Sequence, residues 1–160
     1  MPNINLIRID NRLIHGQVAT SWIQHTKANL VLVANDEVST NTMRQDLMNT
    51  IVPGHVQTRY FSLQKTADII HKATDSQHIF LILESPIDAL WLKNNGVPIE
   101  YINIGNMHGG DGKKSLAKAA YASEGEIQAL KELVSLGVIV DFQQLPVDSI
   151  DHLNEIIQKI

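Results

Sequence analysis

An α/β fold is what this sequence predicts: an open, mostly parallel sheet of about six to seven strands with helices on both faces. Three observations point to it. Short apolar runs alternate with amphipathic stretches from one end of the chain to the other. Two of the runs, Ala28–Ala34 and His78–Leu83, are apolar at every position but one, Asn29 and His78, as strands covered on both faces are. The connections between them are short and carry turn and cap residues, which favours neighbouring parallel strands over separate layers.

The first strand is expected over Ile4–Ile9. From Gly16, the spacing of Val18, Trp22 and Ile23 predicts a short helix ending near Lys27, with Trp22 in the core. Ala28–Ala34 is the second strand, and Asn35-Asp36-Glu37 turns the chain toward a helix through Met43, Leu47 and Met48, capped by Ser39 or Asn41. Pro53-Gly54 breaks the pattern before a strand at Val56–Phe61, and Ser62 caps a third helix through Leu63, Ala67 and Ile70. His78–Leu83 is the fourth strand. Ser85-Pro86 then opens a helix as N-cap and first-turn proline, and it closes near Asn95-Gly96. Tyr101–Ile104 is the fifth strand and leads into a glycine-rich loop, Gly105–Lys114. Ser115–Ala122 admits either a helix, which its alanines favour, or a strand leading to the cap at Ser123. A helix with Ile127, Leu130, Leu133 and Val134 stops at Gly137, followed by a last strand over Val138–Phe142. After Pro146 the pattern predicts a terminal helix through Ile150, Leu153, Ile156 and Ile157. One domain over residues 1–160 is the expectation, with ligands held outside the carboxyl ends of the strands.

The totals remove several function classes. A net charge of −4 with no basic block argues against nucleic-acid binding. The chain has no cysteine, hence no disulfide, thiolate metal site or cysteine nucleophile. No apolar run is long enough to cross a bilayer and Met-Pro-Asn-Ile-Asn lacks the form of a signal peptide, so a cytoplasmic location is expected.

The chemistry concentrates in Arg8-Ile9-Asp10-Asn11-Arg12-Leu13-Ile14-His15-Gly16-Gln17-Val18. Here a strand ends, a polar cluster follows, and a helix begins at once. A neutral imidazole is a good nucleophile near pH 7, which makes His15 the candidate reacting group. Arg12, three residues earlier, and Arg8, at the strand end, offer the planar paired donors that suit phosphate oxygens. The backbone N–H groups of Gly16, Gln17 and Val18 stand where a new helix leaves donors unpaired, and Gly16 allows close approach. Asp10 would repel phosphate; its expected work is to hold Arg8 or Arg12, or to fix the His15 tautomer. The plainer alternative is a solvated turn over Asp10, Asn11 and Arg12.

Elsewhere the signals are weaker. Gly105–Lys114 is not a nucleotide-binding loop, because Met107 stands where the first glycine belongs and Lys114 where Ser or Thr belongs. Lys113 and Lys114 would instead add positive potential beside the site, with His108 at its rim. His25, His55, His71, His78 and His152 show no zinc-ligand spacing, and no metal or cofactor is assigned. A receiver domain would need an aspartate after the third strand, where Ser62-Leu63 stand.

The Arg8–Val18 run resembles the signature around the phosphorylated histidine in IIB subunits of the mannose/sorbose class of the bacterial sugar phosphotransferase system. The similarity extends to Asn35-Asp36, to Asn103-Ile-Gly-Asn-Met-His108 and to the closing Gln-x-Leu-Pro146 segment. It implies that His15 accepts a phosphoryl group from a phosphohistidine of a IIA subunit and passes it to sugar arriving through the membrane subunits IIC and IID. Arg12 would stabilise the transferring group with Arg8, Asp10 would orient the arginines, and Gly16 and Gln17 would supply backbone donors. The implied activity is that of a protein-N(pi)-phosphohistidine–sugar phosphotransferase, peripherally associated with its permease and free of cofactors; self-association is left open. The motif and the loop lean toward the N-acetylgalactosamine-type branch. Many family members follow Asn-Met-His with a bulky aromatic residue, where this chain has Gly109-Gly110. The rival from another class is a phosphate-sensing binding or regulatory module that phosphorylates no sugar.

Overall fold

Strand-forming runs of Val, Ile and Leu alternate with capped helices, and each run finds its neighbour in one sheet. A computed structural model describes residues 2–160 and, at Gln17, the main chain alone. The order is β1 (Asn3–Asp10), α1 (Gly16–Thr26), β2 (Leu30–Ala34), α2 (Thr42–Asn49), β3 (Gln57–Phe61), α3 (Leu63–Ile69), β4 (His78–Leu83), α4 (Pro86–Asn94), β5 (Tyr101–Asn106), β6 (Lys114–Ala117), β7 (Ala120–Ala122), α5 (Glu124–Ser135), β8 (Ile139–Phe142), β9 (Asp151–His152) and α6 (Asn154–Lys159). Among the described residues, seven strands form one sheet in the order β3-β2-β4-β1-β5-β8-β9, and β6-β7 form a separate pair. All pairings in the main sheet are parallel except β8 with β9. The expected open α/β sheet is therefore the observed one.

Both faces are covered, which is why the central strands read as unbroken apolar runs. Ile7, Ile9, Leu30, Leu32, Leu81 and Leu83 join residues of α3, α4, α5 and α6 in the larger core. Val31, Val33, Phe80 and Ile82 join Trp22 and Ile23 of α1 and Met48 of α2 in the smaller one. Asn103 of β5, Asp141 of β8 and Gln143 just beyond β8 are polar and buried. The segment after β8 lies over them, with Trp22 Nε1 donating to the Gln144 carbonyl at 2.8 Å.

The caps fall where oxygen side chains precede helical spacing. Asn41, rather than Ser39, accepts from Arg44 N–H; Ser62 accepts from Lys65 N–H; Ser85 precedes Pro86; and Ser123 and Glu126 form a reciprocal capping box. Three segments differ from, or complete, the sequence expectation. Ser115–Ala122 belongs to the antiparallel β6-β7 hairpin, not to a helix, and buries Leu116, Ala120 and Ala122. β5 runs on through Gly105 and Asn106, and Met107 pairs with the hairpin at Ala120. The terminal helix starts at Asn154, not near Ile150. Asp151 and His152 pair with β8, His152 Nδ1 lies 2.8 Å from Asp141 Oδ1, and Asn154 Oδ1 accepts the Val140 N–H at 2.8 Å. Those pairings hold the chain extended until the helix can begin.

Candidate functional site

The sheet changes direction at β1. The chain leaving β1 turns toward β2, while the chain leaving β5, its neighbour, continues to β8 on the other side. The carboxyl ends of β1 and β5 thus border the crevice where open α/β sheets place ligands. Asp10 lies opposite Asn106 in this register.

The six residues after Ile9 make a tight, anchored loop. Leu13 N–H donates to the Asp10 carbonyl at 2.9 Å, closing a turn. Leu13 and Ile14 are buried in the smaller core, and Leu13 takes φ of +60°, a left-handed conformation that costs a β-carbon residue about 1 kcal/mol or more. The apolar pair fastens the loop down, and the polar residues around it are held up. Gly16, with φ of +52°, then starts α1.

His15 occupies the N-cap position of α1 with extended backbone angles, and its side chain makes no capping bond. The first helical bond runs from Ala19 N–H to the His15 carbonyl at 3.4 Å, so the N–H groups of Gly16, Gln17 and Val18 precede it. No acidic side chain lies in the first turn, which leaves the helix's positive end uncompensated there. The imidazole is half-buried and its Nδ1 is shielded, with no hydrogen-bond partner among the described residues. Burial, followed by the charges of Arg12 and Arg8, holds the ring below the ordinary histidine pKa against the opposing pull of Asp10. The ring is neutral at pH 7, as a nucleophile must be.

Arg12 and Arg8 are placed very differently. Arg12 is 44% exposed, and Asp10 Oδ1 accepts from its backbone N–H at 3.0 Å and from its Nε at 3.3 Å. That bond steadies the guanidinium by one edge, and the terminal nitrogens have no hydrogen-bond partner among the described residues, which suits them to an anion. Arg8 is only 3% exposed. Its Nη1 donates to Asn103 Oδ1 and, at 2.9 Å, to the Gln143 carbonyl; its Nη2 donates to the Gln144 carbonyl at 3.0 Å. The ring of Trp22 lies 4.8 Å from its central carbon. Burial pushes its pKa down to about 10, with Asp10 offsetting part of the cost, so it stays charged. Asp10, 2% exposed, sits between the two, with Oδ2 at 3.9 Å from Arg8 Nη2. Of the tasks expected of Asp10, holding Arg12 is the one with hydrogen bonds behind it.

The structure adds Asn11, Asn106 and Gly105 as partners that sequence reasoning gave no role, and joins the asparagines to His108 and Lys113. Asn11 N–H donates to the Asn106 carbonyl at 3.1 Å, Asn106 Nδ2 donates to Asn11 Oδ1, and Asn11 Nδ2 meets His108 Nδ1. Lys113 Nζ donates to the His108 carbonyl at 3.1 Å, which keeps one lysine of the glycine-rich loop beside the site. Gly105 is required by Arg8, whose guanidinium occupies the space a Cβ would take. Only the Asn-x-Gly-Asn-x-His pattern hinted at these roles.

Comparison with known proteins agrees with the fold. The model of the family described as PTS system sorbose subfamily IIB component matches residues 4–160. The N-acetylgalactosamine-specific phosphotransferase enzyme IIB component 2 of Escherichia coli K12 is 45% identical over 148 residues, covering 92% of this chain and 94% of that protein. The crystal structure of the N-acetylgalactosamine-specific IIB component 1 from Escherichia coli superimposes with a TM-score of 0.90 at 36% identity, covering 94% of this chain and 99% of that one. The mannose-specific EIIAB component of Escherichia coli K12 is 31% identical over 158 residues, 98% of this chain and 49% of that longer protein.

Proposed function

The chain belongs to the sorbose subfamily of PTS IIB components, and on that premise we propose that it is a phospho-carrier, accepting a phosphoryl group on His15 and handing it to a sugar. The observation that carries this reading is the setting of His15: a neutral imidazole at the start of α1, flanked by an arginine with free donors. The donor is a phosphohistidine on a IIA subunit, a partnership supported by the EIIAB relative, which this chain matches over about half its length. The acceptor is sugar delivered by IIC and IID at the cytoplasmic face of the membrane, with residues 1–160 acting as one domain. Similarity to the N-acetylgalactosamine-specific components favours that sugar.

In the first half-reaction the N–P bond of the donor breaks and its electron pair stays on the donor ring while the His15–P bond forms. In the second, a sugar hydroxyl oxygen bonds phosphorus, the His15 N–P pair returns to the ring, and the hydroxyl proton leaves to the ring or to water. Arg12 and the first N–H groups of α1 compensate charge on the phosphoryl oxygens; Arg8 and Asp10 position Arg12 and the loop. Nδ1, the N(pi) atom, is the shielded nitrogen here, so acceptance there requires the ring to turn outward.

Protein incubated with a phosphoenolpyruvate-fed donor chain should gain acid-labile, base-stable phosphate, and His15→Ala should gain none. Equal labelling of the variant would sink the assignment. Phosphate kept on His15 and never passed to sugar, with IIC and IID membranes present, would instead mark a phosphate-sensing module.

A further inference from the structure

Hydrogen-bond logic fixes the state of His108. Asn106 Nδ2 gives its proton to Asn11 Oδ1, so the opposite end of the Asn11 amide, Nδ2, is the atom that meets His108 Nδ1. An amide NH₂ can only donate. His108 Nδ1 therefore accepts, and the neutral ring carries its hydrogen on Nε2. The residue is exposed, and through Asn11 it is joined to the loop that carries Arg12 and His15.

The rim is asymmetric. On the β5 flank the His108 carbonyl holds the Lys113 ammonium at 3.1 Å. At the ends of β2 and β4 stand Asp36 and Glu84, whose charges, after burial, raise the pKa of Asp88. Asn11 lies in the same turn as Arg12, so the amide chain ties His108 to the loop that carries the arginine.

Resting on the phospho-carrier reading above, we propose that His108 is a further catalytic residue, whose Nε2–H donates to a non-transferring oxygen of the phosphoryl group on His15, with Asn11 and Asn106 as its positioning residues. No proton changes hands at His108. The bonds made and broken are those of the two half-reactions already given, and the imidazole N–H contributes charge compensation only.

Two substitutions separate donation from packing. His108→Asn keeps an acceptor near the Nδ1 position and removes the distal N–H. His108→Gln restores an amide N–H near the Nε2 position and gives up the Nδ1 acceptor. The measurement is rapid-quench labelling of His15 by a phosphorylated IIA subunit, with folding checked by circular dichroism. His108→Asn should be slowed about tenfold, below the loss seen for buried oxyanion donors because this site is open to water, and His108→Gln should stay within about threefold of the parent. Asn as fast as the parent, or Asn and Gln equally slow, overturns the proposal. Nitrogen-15 spectra of the unmodified protein provide a second reading that needs no variant: a protonated Nε2 and bare Nδ1 support it, and the opposite tautomer overturns it. If the parent takes up no phosphate on His15, the phospho-carrier reading fails and this one falls with it. If the parent is labelled and His108→Asn is not slowed, only the role of His108 fails.

Discussion

The guanidinium of Arg8 lies against the main chain of Gly105, so closely that a Cβ at residue 105 would stand 1.9 Å from Arg8 Nη2. One buried charge and one missing side chain are therefore a single feature. Arg8 reaches three acceptors on β5 and the segment after β8 only because β5 has nothing in the way.

Gly105→Ala should then destabilise the protein by about 1–3 kcal/mol, the usual cost of overpacking a filled interior. Displacing the guanidinium also strands a buried charge, which pushes the effect toward the upper end. Urea denaturation measures it. A variant as stable as the parent would mean that Arg8 has room the packing does not show.

Arg12→Lys should separate chemistry from stability. The side chain is partly exposed and, among the described residues, hydrogen-bonds Asp10 alone, so stability should change by no more than about 0.5 kcal/mol. A lysine has no planar pair of donors, and phosphoryl uptake by His15 should slow by about tenfold. Comparing thermal melts with labelling rates tests both halves; a variant that loses stability and keeps its rate contradicts the assignment.

The pH profile of uptake should be flat from about pH 7 upward and fall on the acid side, with its midpoint below the ordinary histidine value of 6.5. Burial and the two arginines disfavour the protonated ring in the folded state. The unfolded chain binds that proton more readily, so the contribution of His15 to stability is present above pH 6.5 and is lost as pH falls toward its lower folded value. A midpoint above 6.5 in single-turnover labelling would contradict the desolvated site.

Asp88 should show the opposite dependence. Burial, with Glu84 and Asp36 nearby, raises its pKa to about 6 from the ordinary 3.8. The folded protein holds this proton more tightly than the unfolded chain, so stability is lost as pH rises through about 4 to 6. Asp88→Asn should be more stable than the parent at pH 8, by no more than about 1 kcal/mol because the carboxyl is partly solvated. The two proteins should converge near pH 4 in melts followed across that range; a constant difference would rule out titration of Asp88 as its source.

The strands and most helix starts were legible because their causes are local. Val31–Val33 and Phe80–Ile82 read as buried strands because both faces of the sheet are covered, and Asn41, Ser62, Ser85 and Ser123 announce helices by satisfying their first N–H groups. Ser115–Ala122 was not settled, because its strand character comes from pairing with Met107 and with its own return strand. The start of α6 falls later than its spacing suggests because Phe142 and Asp141, not nearby residues, hold Asp151 and His152 extended, and the Asn154 side chain is tied to Val140. At the site, His15 and Arg12 declared themselves through their neighbours in sequence. Asn11, Asn106 and the burial of Arg8 did not, since each depends on β5 lying beside β1, some 95 residues away along the chain.

Arg8 has a further consequence, for the order in which the protein becomes competent during synthesis. It leaves the ribosome 135 residues ahead of its first carbonyl acceptor, Gln143, and 136 ahead of Gln144. Until they arrive, a chain ending at β5 carries the whole of the His15 loop with an arginine beneath it that lacks two of its three bonded groups. Domains dominated by such distant contacts gain their final order late. A nascent or truncated chain would thus display the reactive histidine without the support that holds it in register, and competence would arrive only when β8 joins the sheet.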